Sequence, residues 1–274
     1  MTLPPAINVQ RFVWRESGAS EGRRSIPEET AVALTYNGGT YAVMMATPQD
    51  LEDFAVGFSL DEGVVRTASE IESLEVLPMD DGIELRMWLA QANADRLSER
   101  RRHIAGPTGC GLCGIDSIVE ATRPATIVGV GRNFSPAQIM SAMQSLAPLQ
   151  KLNTETRAVH AAAFWLPEQG IVSLREDVGR HNALDKLAGS LARSAATAEN
   201  GMVLLTSRIS VEMVQKTASI GASVMVSVSA PTALAVKMAD RANITLAAIA
   251  RSDGFEVYTH PHRILAGGKI HVVA

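Results

Sequence analysis

The sequence contains few of the residues that define several protein classes. Only two of its 274 residues are cysteine, so the chain has no framework of disulfide bonds like that of small secreted domains. Aromatic residues make up 4% of the chain, so its core must consist mainly of smaller aliphatic residues and methionine. No apolar run approaches the roughly 20 residues of a membrane span, and the N-terminus lacks a signal peptide's apolar core. We therefore expect a cytoplasmic protein without a membrane span.

The sequence also lacks an excess of positive charge. Its formal net charge is −4 and its pI is about 5.9. A uniformly basic protein that binds nucleic acid is therefore not expected. With 274 residues, of which 46% are hydrophobic, the chain is long enough for one large domain or two ordinary ones.

The two halves of the chain differ in their hydrophobic pattern. In the first half, turn sequences at residues 37–39 and 79–82 predict two β-hairpins, Thr47 and Pro48 predict a helix start, and residues 1–26 predict an irregular arm with a short strand. In the second half, apolar runs of strand length alternate with helical segments, which predicts a largely parallel sheet between helices. We predict an α+β domain over residues 1–125 and an α/β domain over residues 126–274.

Both cysteines lie in one glycine-rich turn, G-P-T-G-C-G-L-C-G-I-D, at residues 106–116. Cys110 and Cys113 suit four uses: half of a metal site, a disulfide, a redox dithiol or a sulfur carrier. A structural zinc site needs about four N or S ligands, so His103 and His160 would have to complete it. A permanent disulfide is not expected in a reducing compartment, and a thioredoxin-type pair belongs at a strand-to-helix step. Zinc and the redox dithiol stay open beside the sulfur carrier.

The surroundings of the cysteines suit nucleophilic sulfur chemistry. Glycines at four positions of the turn allow the backbone to fold tightly or to swing. Three arginines and His103 stand just before the turn, and positive charge lowers the pKa of a thiol. The alternative is that these basic residues form a solvated helix face.

Three polar segments stand between predicted strands and helices. R-E-D-V-G-R-H-N-A-L-D-K, residues 175–186, places Arg180, His181 and Lys186 at a helix start, which suits a phosphate group. In a parallel sheet the loops that follow the strands share one edge, where ligands bind. We therefore predict a polar cleft that also includes side chains from residues 207–210 and 229–232, namely Ser207, Arg208, Ser210, Ser229 and Thr232. Taken singly, each serine or threonine is equally a helix cap.

The segment F-E-V-Y-T-H combines aromatic and polar side chains near the C-terminus. Phe255 and Tyr258 are suited to stack on a purine or pterin ring, and Thr259 and His260 to form hydrogen bonds with it. The alternative is a short closing strand with Phe255 in the core. Dinucleotide and Walker motifs are absent from the chain.

Five blocks together resemble the FdhD family, the sulfurtransferases needed to activate formate dehydrogenases. The resemblance covers most of the chain, and it rests on C-G-L-C-G (110–114), R-E-D-V-G-R-H-N-A-L-D-K (175–186), S-R-I-S-x-E-M-x-Q-K (207–216), S-A-P-T-A-L-A-V (229–236) and Y-T-H-P-x-R-I (258–264). It implies a C-terminal cytidine-deaminase-like three-layer α/β/α domain without the deaminase zinc, beside a smaller N-terminal α+β domain. The chain departs from the family pattern at Thr156-Arg157-Ala158, where Thr-Gly-Gly is common before a histidine.

The resemblance also implies a function. A cysteine persulfide, on the residue that matches Cys110 with Cys113 as its partner, would be received from a cysteine desulfurase. Its sulfur would pass to the molybdenum cofactor, in the bis-molybdopterin guanine dinucleotide form, before this transient substrate enters apo-formate dehydrogenase. A homodimer without zinc is expected. The expected cofactor contacts are Phe255, Glu256, Val257, Tyr258, Thr259, His260, Arg180, His181, Asn182, Lys186, Ser207, Arg208, Ser229 and Thr232. The alternative function is a non-catalytic chaperone that binds the cofactor.

Overall fold

The structure, a computed structural model, describes residues 3–90, 123–194 and 197–265. Cys110 and Cys113 lie outside these ranges, so the predictions about them are not addressed by the fold. The described chain forms a two-stranded hairpin, a four-stranded sheet and a six-stranded sheet. None of the helices in these ranges is both long enough and apolar enough to cross a membrane.

The hairpin at the start of the chain consists of two long strands, β1 (Ala6–Arg15) and β2 (Gly18–Pro27), which pair along their whole length. The prediction of an irregular arm with one short strand is therefore wrong. Strand β2 is rich in Gly, Ser and Arg and has no apolar alternation, so the period-two pattern by which a sequence reveals a strand is missing.

The four-stranded sheet has the order β4-β3-β6-β5, and its two central strands run parallel. Both predicted hairpins are confirmed, with Asn37 and Gly38 at positive φ in the first turn. One helix, α1 (Leu51–Asp61), covers one face of the sheet and begins later than Thr47 and Pro48 predict. The strands are β3 (Thr30–Tyr36), β4 (Gly39–Ala46), β5 (Ile71–Met79) and β6 (Gly82–Leu89).

The six-stranded sheet has the order β12-β11-β10-β9-β7-β8. Its strands are β7 (His160–Leu166), β8 (Gly170–Asp177), β9 (Met202–Leu205), β10 (Val224–Ser227), β11 (Thr245–Arg251) and β12 (Gly254–Val257). The prediction of a largely parallel sheet needs correction, because β7 and β12 run against their neighbours. Their connections to β8 and β11 are tight turns, and tight turns join antiparallel strands only.

Helices cover both faces of this sheet. Three of them, α4 (Arg180–Arg193), α5 (Val211–Ile220) and α6 (Ala233–Arg241), pack on one face. On the other face α2 (Pro136–Gln144) packs against residues of β7, β9 and β10, and it is followed by α3 (Lys151–Thr156). The predicted α/β class with a three-layer arrangement and a smaller α+β unit is therefore confirmed. The predicted boundary between residues 125 and 126 stays a prediction.

Helices α1 and α4 cross in direct backbone contact. A Cβ atom on Gly57 would lie 1.7 Å from the carbonyl oxygen of Asp185, and one on Gly189 would lie 1.9 Å from that of Asp53. Only glycine fits at both positions. The side chain of Asp53 adds ion pairs across the same contact, because it accepts hydrogen bonds from Arg175 at 2.7 Å and from Arg193 at 2.6 Å. This helix pair is therefore one of the contacts that join the two sheets.

Candidate functional site

The candidate site lies at the edge of the six-stranded sheet where β8, β9 and β10 end and α4, α5 and α6 begin. Because β8 and β9 are both antiparallel to β7, their carboxyl ends point the same way. Backbone contacts join the loops: the N–H of Thr232 donates to the carbonyl of Ile209 at 2.9 Å, and Ser227 Oγ donates to the carbonyl of Ser207 at 2.6 Å. The structure therefore brings the three predicted polar loops to one edge.

Two helix N-termini at this edge carry polar atoms that are buried but not hydrogen-bonded within the described residues. These atoms belong to residues at the starts of α4 and α5, namely Arg180 Nε, His181 Nε2, Ser210 Oγ and Glu212 Oε2. His181 Nε2 and Glu212 Oε2 are 3.9 Å apart, which is too far for a hydrogen bond. Buried polar atoms in proteins are nearly always hydrogen-bonded, so a group of exceptions at one place marks a candidate binding site.

The imidazoles at this edge are held neutral by their surroundings. Burial, followed by the cations of Arg180 and Lys216, lowers the pKa of His181 to about 4. His160, the first residue of β7, lies opposite Asp177 of β8 in the strand register. Burial, followed by the charge of Arg180, lowers the pKa of His160 too. Near neutral pH the edge therefore offers the arginine cation together with neutral imidazole N–H groups and hydroxyls, a combination that suits an oxyanion such as a phosphate.

A buried cluster of two carboxylates and one ammonium lies one helical turn below this edge. Lys216 Nζ contacts Asp185 Oδ1 and lies 3.6 Å from Asp61 Oδ2. Burial raises the pKa of Asp61 well above its usual range, against the attraction of Lys216, and the neighbouring Asp185 raises it further. Burial also lowers the pKa of Lys216, but the two carboxylates outweigh that effect and the net shift is upward. The lysine therefore stays charged at neutral pH.

The first described residue after the segment that carries both cysteines lies against this cluster. The guanidinium of Arg123 donates from Nη2 to the backbone oxygen of Asp61 at 3.1 Å. Gln215, next to Lys216 on α5, donates from Nε2 to the backbone oxygen of Arg123 at 2.7 Å. Arg123 therefore lies between the C-terminal end of α1 and the middle of α5, near the polar edge.

Two of the predicted cofactor contacts are engaged in a buried network of their own. Lys186 is fully buried, and its Nζ donates to Asp177 Oδ2 at 2.6 Å and to the carbonyl of Thr47 at 2.9 Å. Asn182 Nδ2 donates to Asp177 Oδ1 at 3.0 Å and to the carbonyl of Met45 at 2.8 Å. These bonds fix β8 and α4 to the end of β4. A contact of either side chain with a cofactor stays a prediction.

The remaining predicted residues of the three loops differ in their accessibility. Ser207 is buried, whereas Arg208 is exposed at the edge. Thr232 caps α6, because its hydroxyl accepts a hydrogen bond from the N–H of Ala235 at 3.2 Å. Thr232 is therefore a helix cap, which was the alternative to a place in the polar cleft. The backbone N–H of Ser229 donates to Ser227 Oγ at 3.1 Å, which fixes the loop but leaves the Ser229 side chain half-buried beside it.

The segment from Phe255 to His260 runs away from this end of the sheet. Strand β12 begins beside the end of β11, where Glu256 pairs with Ala248, and because the two strands are antiparallel it carries the chain to the opposite end by Thr259 and His260. There Thr259 Oγ1 donates to the carbonyl of Ile244 at 2.6 Å and accepts from the N–H of Leu246 at 2.9 Å, and His260 Nε2 lies 2.9 Å from the carbonyl oxygen of Asp240.

The other members of this segment are also accounted for by the closing strand. Phe255 packs into the core beneath α2, and Val257 pairs with Ala247. The exposed Tyr258 donates its hydroxyl to Glu256 at 2.6 Å. The alternative of a closing strand with Phe255 in the core therefore describes the segment, and a contact of its residues with a cofactor stays a prediction.

Several residues of the site were missed from the predicted contacts. Glu212 and Lys216 stand in the block 207–216, and Asp185 stands in the block 175–186, so the motifs quoted above contain all three residues. Asp61 had no local signal, because only the close crossing of α1 and α4 brings its carboxylate to the others. A cavity of about 630 Å³ elsewhere, beside the C-terminal end of α4, is lined by none of the predicted residues.

Comparison with known proteins gives the context of this geometry. Residues 27–265 match the FdhD/NarQ family. The chain belongs to the FdhD/NarQ family. Two curated relatives, each named "Sulfur carrier protein FdhD", are similar over nearly their full lengths. That of Agrobacterium fabrum is 51% identical over 258 residues, 94% of this chain and 95% of its own. That of Brucella abortus is 50% identical over 259 residues, 94% of this chain and 96% of its own.

A solved structure agrees with the fold of this FdhD/NarQ chain. It is the crystal structure of a protein from Desulfotalea psychrophila assigned as a formate dehydrogenase accessory protein. The two share 28% sequence identity with a TM-score of 0.75, and the match covers 96% of this chain and 100% of the other. The FdhD/NarQ match includes the polar edge, the acid–lysine cluster and both cysteines, whereas the hairpin β1–β2 precedes it up to residue 27.

Proposed function

We propose that this protein carries sulfur for formate dehydrogenase as a persulfide on Cys110. The Cys110 thiolate attacks the outer sulfur of a persulfide on a cysteine desulfurase. A new S–S bond forms, the S–S bond of the donor breaks, and the donor cysteine leaves as a thiolate. Half of the residues are shared with relatives named as sulfur carriers, over nearly the whole chain, which supports this function.

The acceptor in this proposal is the molybdenum cofactor in its bis-molybdopterin guanine dinucleotide form, bound as a substrate before it enters apo-formate dehydrogenase. Cys110 is released as a thiolate when the outer sulfur of the persulfide anion reaches molybdenum. The reduced metal supplies the two electrons that convert this sulfur to sulfide. Cys113 stabilises or relays the persulfide, and the protein acts in the cytoplasm as a homodimer.

The observation that carries the proposal is the position of Arg123 beside a polar edge. Arg123 is the first described residue after the segment that carries both cysteines, and it contacts α1 and α5. One turn away, Arg180 Nε and His181 Nε2 are buried without hydrogen-bond partners among the described residues, and the imidazole of His181 is neutral at neutral pH. We assign the cofactor's phosphate groups to this edge, where these side chains and Ser210 complete their hydrogen bonds.

The test of the carrier step is the mass of the protein after incubation with a cysteine desulfurase and cysteine. We expect one added sulfur atom on the peptide that contains Cys110, none in a Cys110→Ala variant, and retention in a Cys113→Ala variant. Restored formate dehydrogenase activity by Cys110→Ala, in a strain that lacks its own family member, would show that the persulfide is not required. That result would favour the cofactor chaperone.

The test of the polar edge is the binding of GDP, as a probe for the nucleotide end of the cofactor, by isothermal titration calorimetry. An Arg180→Gln variant is expected to weaken binding about tenfold or more, because a charge-assisted hydrogen bond to phosphate contributes about 1.5–3 kcal/mol. Arg241, in the last turn of α6, is a matched control, and Arg241→Gln is expected to bind as the parent does. Equal weakening by both variants would refute the assignment.

A further inference from the structure

We propose that the hairpin β1–β2, residues 6–27, is a docking arm that binds the four-stranded sheet of a second copy of this chain. The contact surface on the second copy is the outer sheet face, defined as the face turned away from α1. The proposal rests on the homodimer of the proposed function and names its contact surfaces, and it does not depend on sulfur transfer, since an arm contact persists whether or not Cys110 carries sulfur.

The docking arm is long and scarcely attached to the rest of its own chain. Its ten-residue strands span roughly 33 Å at about 3.3 Å per residue. Near its base, Arg24 donates to the carbonyl of Thr156 at 3.1 Å and Ser25 lies 2.5 Å from a carboxylate oxygen of Glu155, whereas almost every residue from 7 to 24 is exposed or half-exposed. A lone two-stranded hairpin is marginally stable in water, so an arm of this kind is expected to gain stability from a partner surface.

The docking arm carries an aromatic pair on one face. Phe12 and Trp14 are two residues apart in β1, so their rings lie on the same side, and they are 67% and 81% exposed. Among the large apolar side chains that the structure describes, none is more exposed than Trp14, and only Val130 equals it. Aromatic residues are enriched in the centres of protein interfaces, because each buries a large area at a small cost in conformational entropy.

Among the residues that the structure describes, the outer sheet face is apolar and exposed. Strand β4 contributes Val43 and Met45, which are 57% and 47% exposed and lie in register with Ala33 and Ala31 of β3. Trp88 of β6 is 47% exposed, and Met79 at the end of β5 is 57% exposed. Exposed apolar groups that cluster on one face, rather than scattering singly, indicate an interaction surface.

Charge favours the pairing of these two surfaces. The docking arm contains four arginines and two glutamates, whereas residues 71–89, the β5–β6 hairpin, contain five acidic residues and one arginine. Opposite net charges steer two surfaces together and disfavour pairing of like with like. The net charge of the arm is therefore opposite to that of the β5–β6 hairpin, which forms half of the sheet.

The dimensions and symmetry suit a second copy of the chain. Four strands about 4.8 Å apart make a sheet roughly 20 Å wide, so an arm of roughly 33 Å crosses it. Within one chain the aromatic pair and the outer sheet face are both exposed, so the arm does not cover its own sheet. When each copy presents one arm and one sheet face, two reciprocal contacts close a twofold dimer without unpaired surfaces.

The first experiment measures the dimer dissociation constant by sedimentation velocity. We expect the parent to be a dimer, and Phe12→Ser with Trp14→Ser to weaken it about tenfold or more. The double variant Val43→Ser with Trp88→Ser is expected to weaken it similarly. Val130→Ser, an equally exposed apolar residue outside both surfaces, is the control and should leave the dimer unchanged. A parent that is monomeric, or arm variants that dimerise as the parent does, would overturn the proposal.

A second experiment keeps the proposal testable if a variant folds poorly. The full-length protein carries the photo-crosslinking amino acid p-benzoylphenylalanine in place of Trp14, and crosslinked peptides are identified by mass spectrometry. Crosslinks between two copies, from position 14 to residues 43–45 or 79–88, are expected. Crosslinks to another surface of the chain, or to a cysteine desulfurase added to the sample but not between copies, would refute the arm–sheet contact. Sulfur loading on Cys110 is scored separately in the same protein.

Discussion

Lys186 and Asp177 form an ion pair in which both side chains are fully buried. Replacing Lys186 by methionine tests whether this lysine holds the fold together or contacts a cofactor. Methionine keeps the apolar packing of the lysine stem near the ring of Phe54, over which Nζ lies at 5.8 Å from the centroid. The change therefore removes the charge and its hydrogen bonds and leaves most of the volume.

The expected cost follows from what remains around the carboxylate. Removing one partner of a buried ion pair typically costs about 3–5 kcal/mol, because it leaves the other charge uncompensated. Asp177 keeps three donors, the backbone N–H groups of Thr47 at 3.0 Å and Gly179 at 2.7 Å and the amide of Asn182 at 3.0 Å. We therefore expect the low end, about 3 kcal/mol. At about 2–4 °C per kcal/mol, the melting temperature should fall by about 9 °C.

The assay is thermal unfolding, followed by circular dichroism, together with GDP binding. Asp177→Asn with Lys186→Met should lose less stability than the two single changes combined, because the double variant leaves no lone charge. Arg208→Met, at the exposed edge, is the matched control and should change stability by less than about 0.5 kcal/mol. A Lys186→Met protein that melts like the parent but binds GDP more weakly would refute the structural role and return Lys186 to the cofactor site.

Three further substitutions test the helix crossing, the neutral histidine and a strained turn. Gly57→Ala should lower the free energy of unfolding by about 3 kcal/mol through overpacking, whereas Gly22→Ala, which has no neighbour within 4 Å, should change little. His181 has a folded pKa lowered to about 4, so the melting temperature should fall as the pH drops from about 6.5, the unfolded value, toward 4. The loss is at most about 3 kcal/mol and should shrink in His181→Gln; an unchanged pH profile would contradict the assignment. Arg157 has a φ of 60°, so Arg157→Gly should stabilise by about 1 kcal/mol if glycine relieves the strain, which urea unfolding would show.

The fold was predictable wherever local pattern and turn chemistry agreed. Asn37-Gly38 and Asp81-Gly82 are turn sequences with a strong preference for hairpins, and both hairpins are present. The alternation of apolar runs with helical segments predicted the sheet between two layers of helices. The direction of β7 was not evident from the sequence because a run buried on both faces looks alike in a parallel and in a mixed sheet, and β12 is a strand of only four residues. The docking arm was not predicted because its strand β2 is polar and lacks the period-two alternation of apolar residues by which a sequence reveals a strand.

The site was predictable only in part, because it combines residues that are far apart in the sequence. The three polar loops share an edge because each follows a strand of common direction, and that is a consequence of topology. The network around Asp177 includes Thr47, 130 residues earlier in the chain, and no local pattern reveals such a pair. A signal did exist for Arg157: it stands where the family commonly has glycine, and the structure holds it in the left-handed region that favours glycine.

The crossing of α1 and α4 explains why the acid–lysine cluster exists. With Gly57 against Asp185 and Gly189 against Asp53, the helices run antiparallel at backbone contact, and Asp61 stands one turn beyond Gly57. The two carboxylates are thereby forced together, and a single ammonium, that of Lys216, faces both of them. Burial, and after it the neighbouring Asp185, raises the pKa of Asp61. Because Arg123 also binds at Asp61, the crossing of α1 and α4 sets the position of the first described residue after the cysteine-bearing segment.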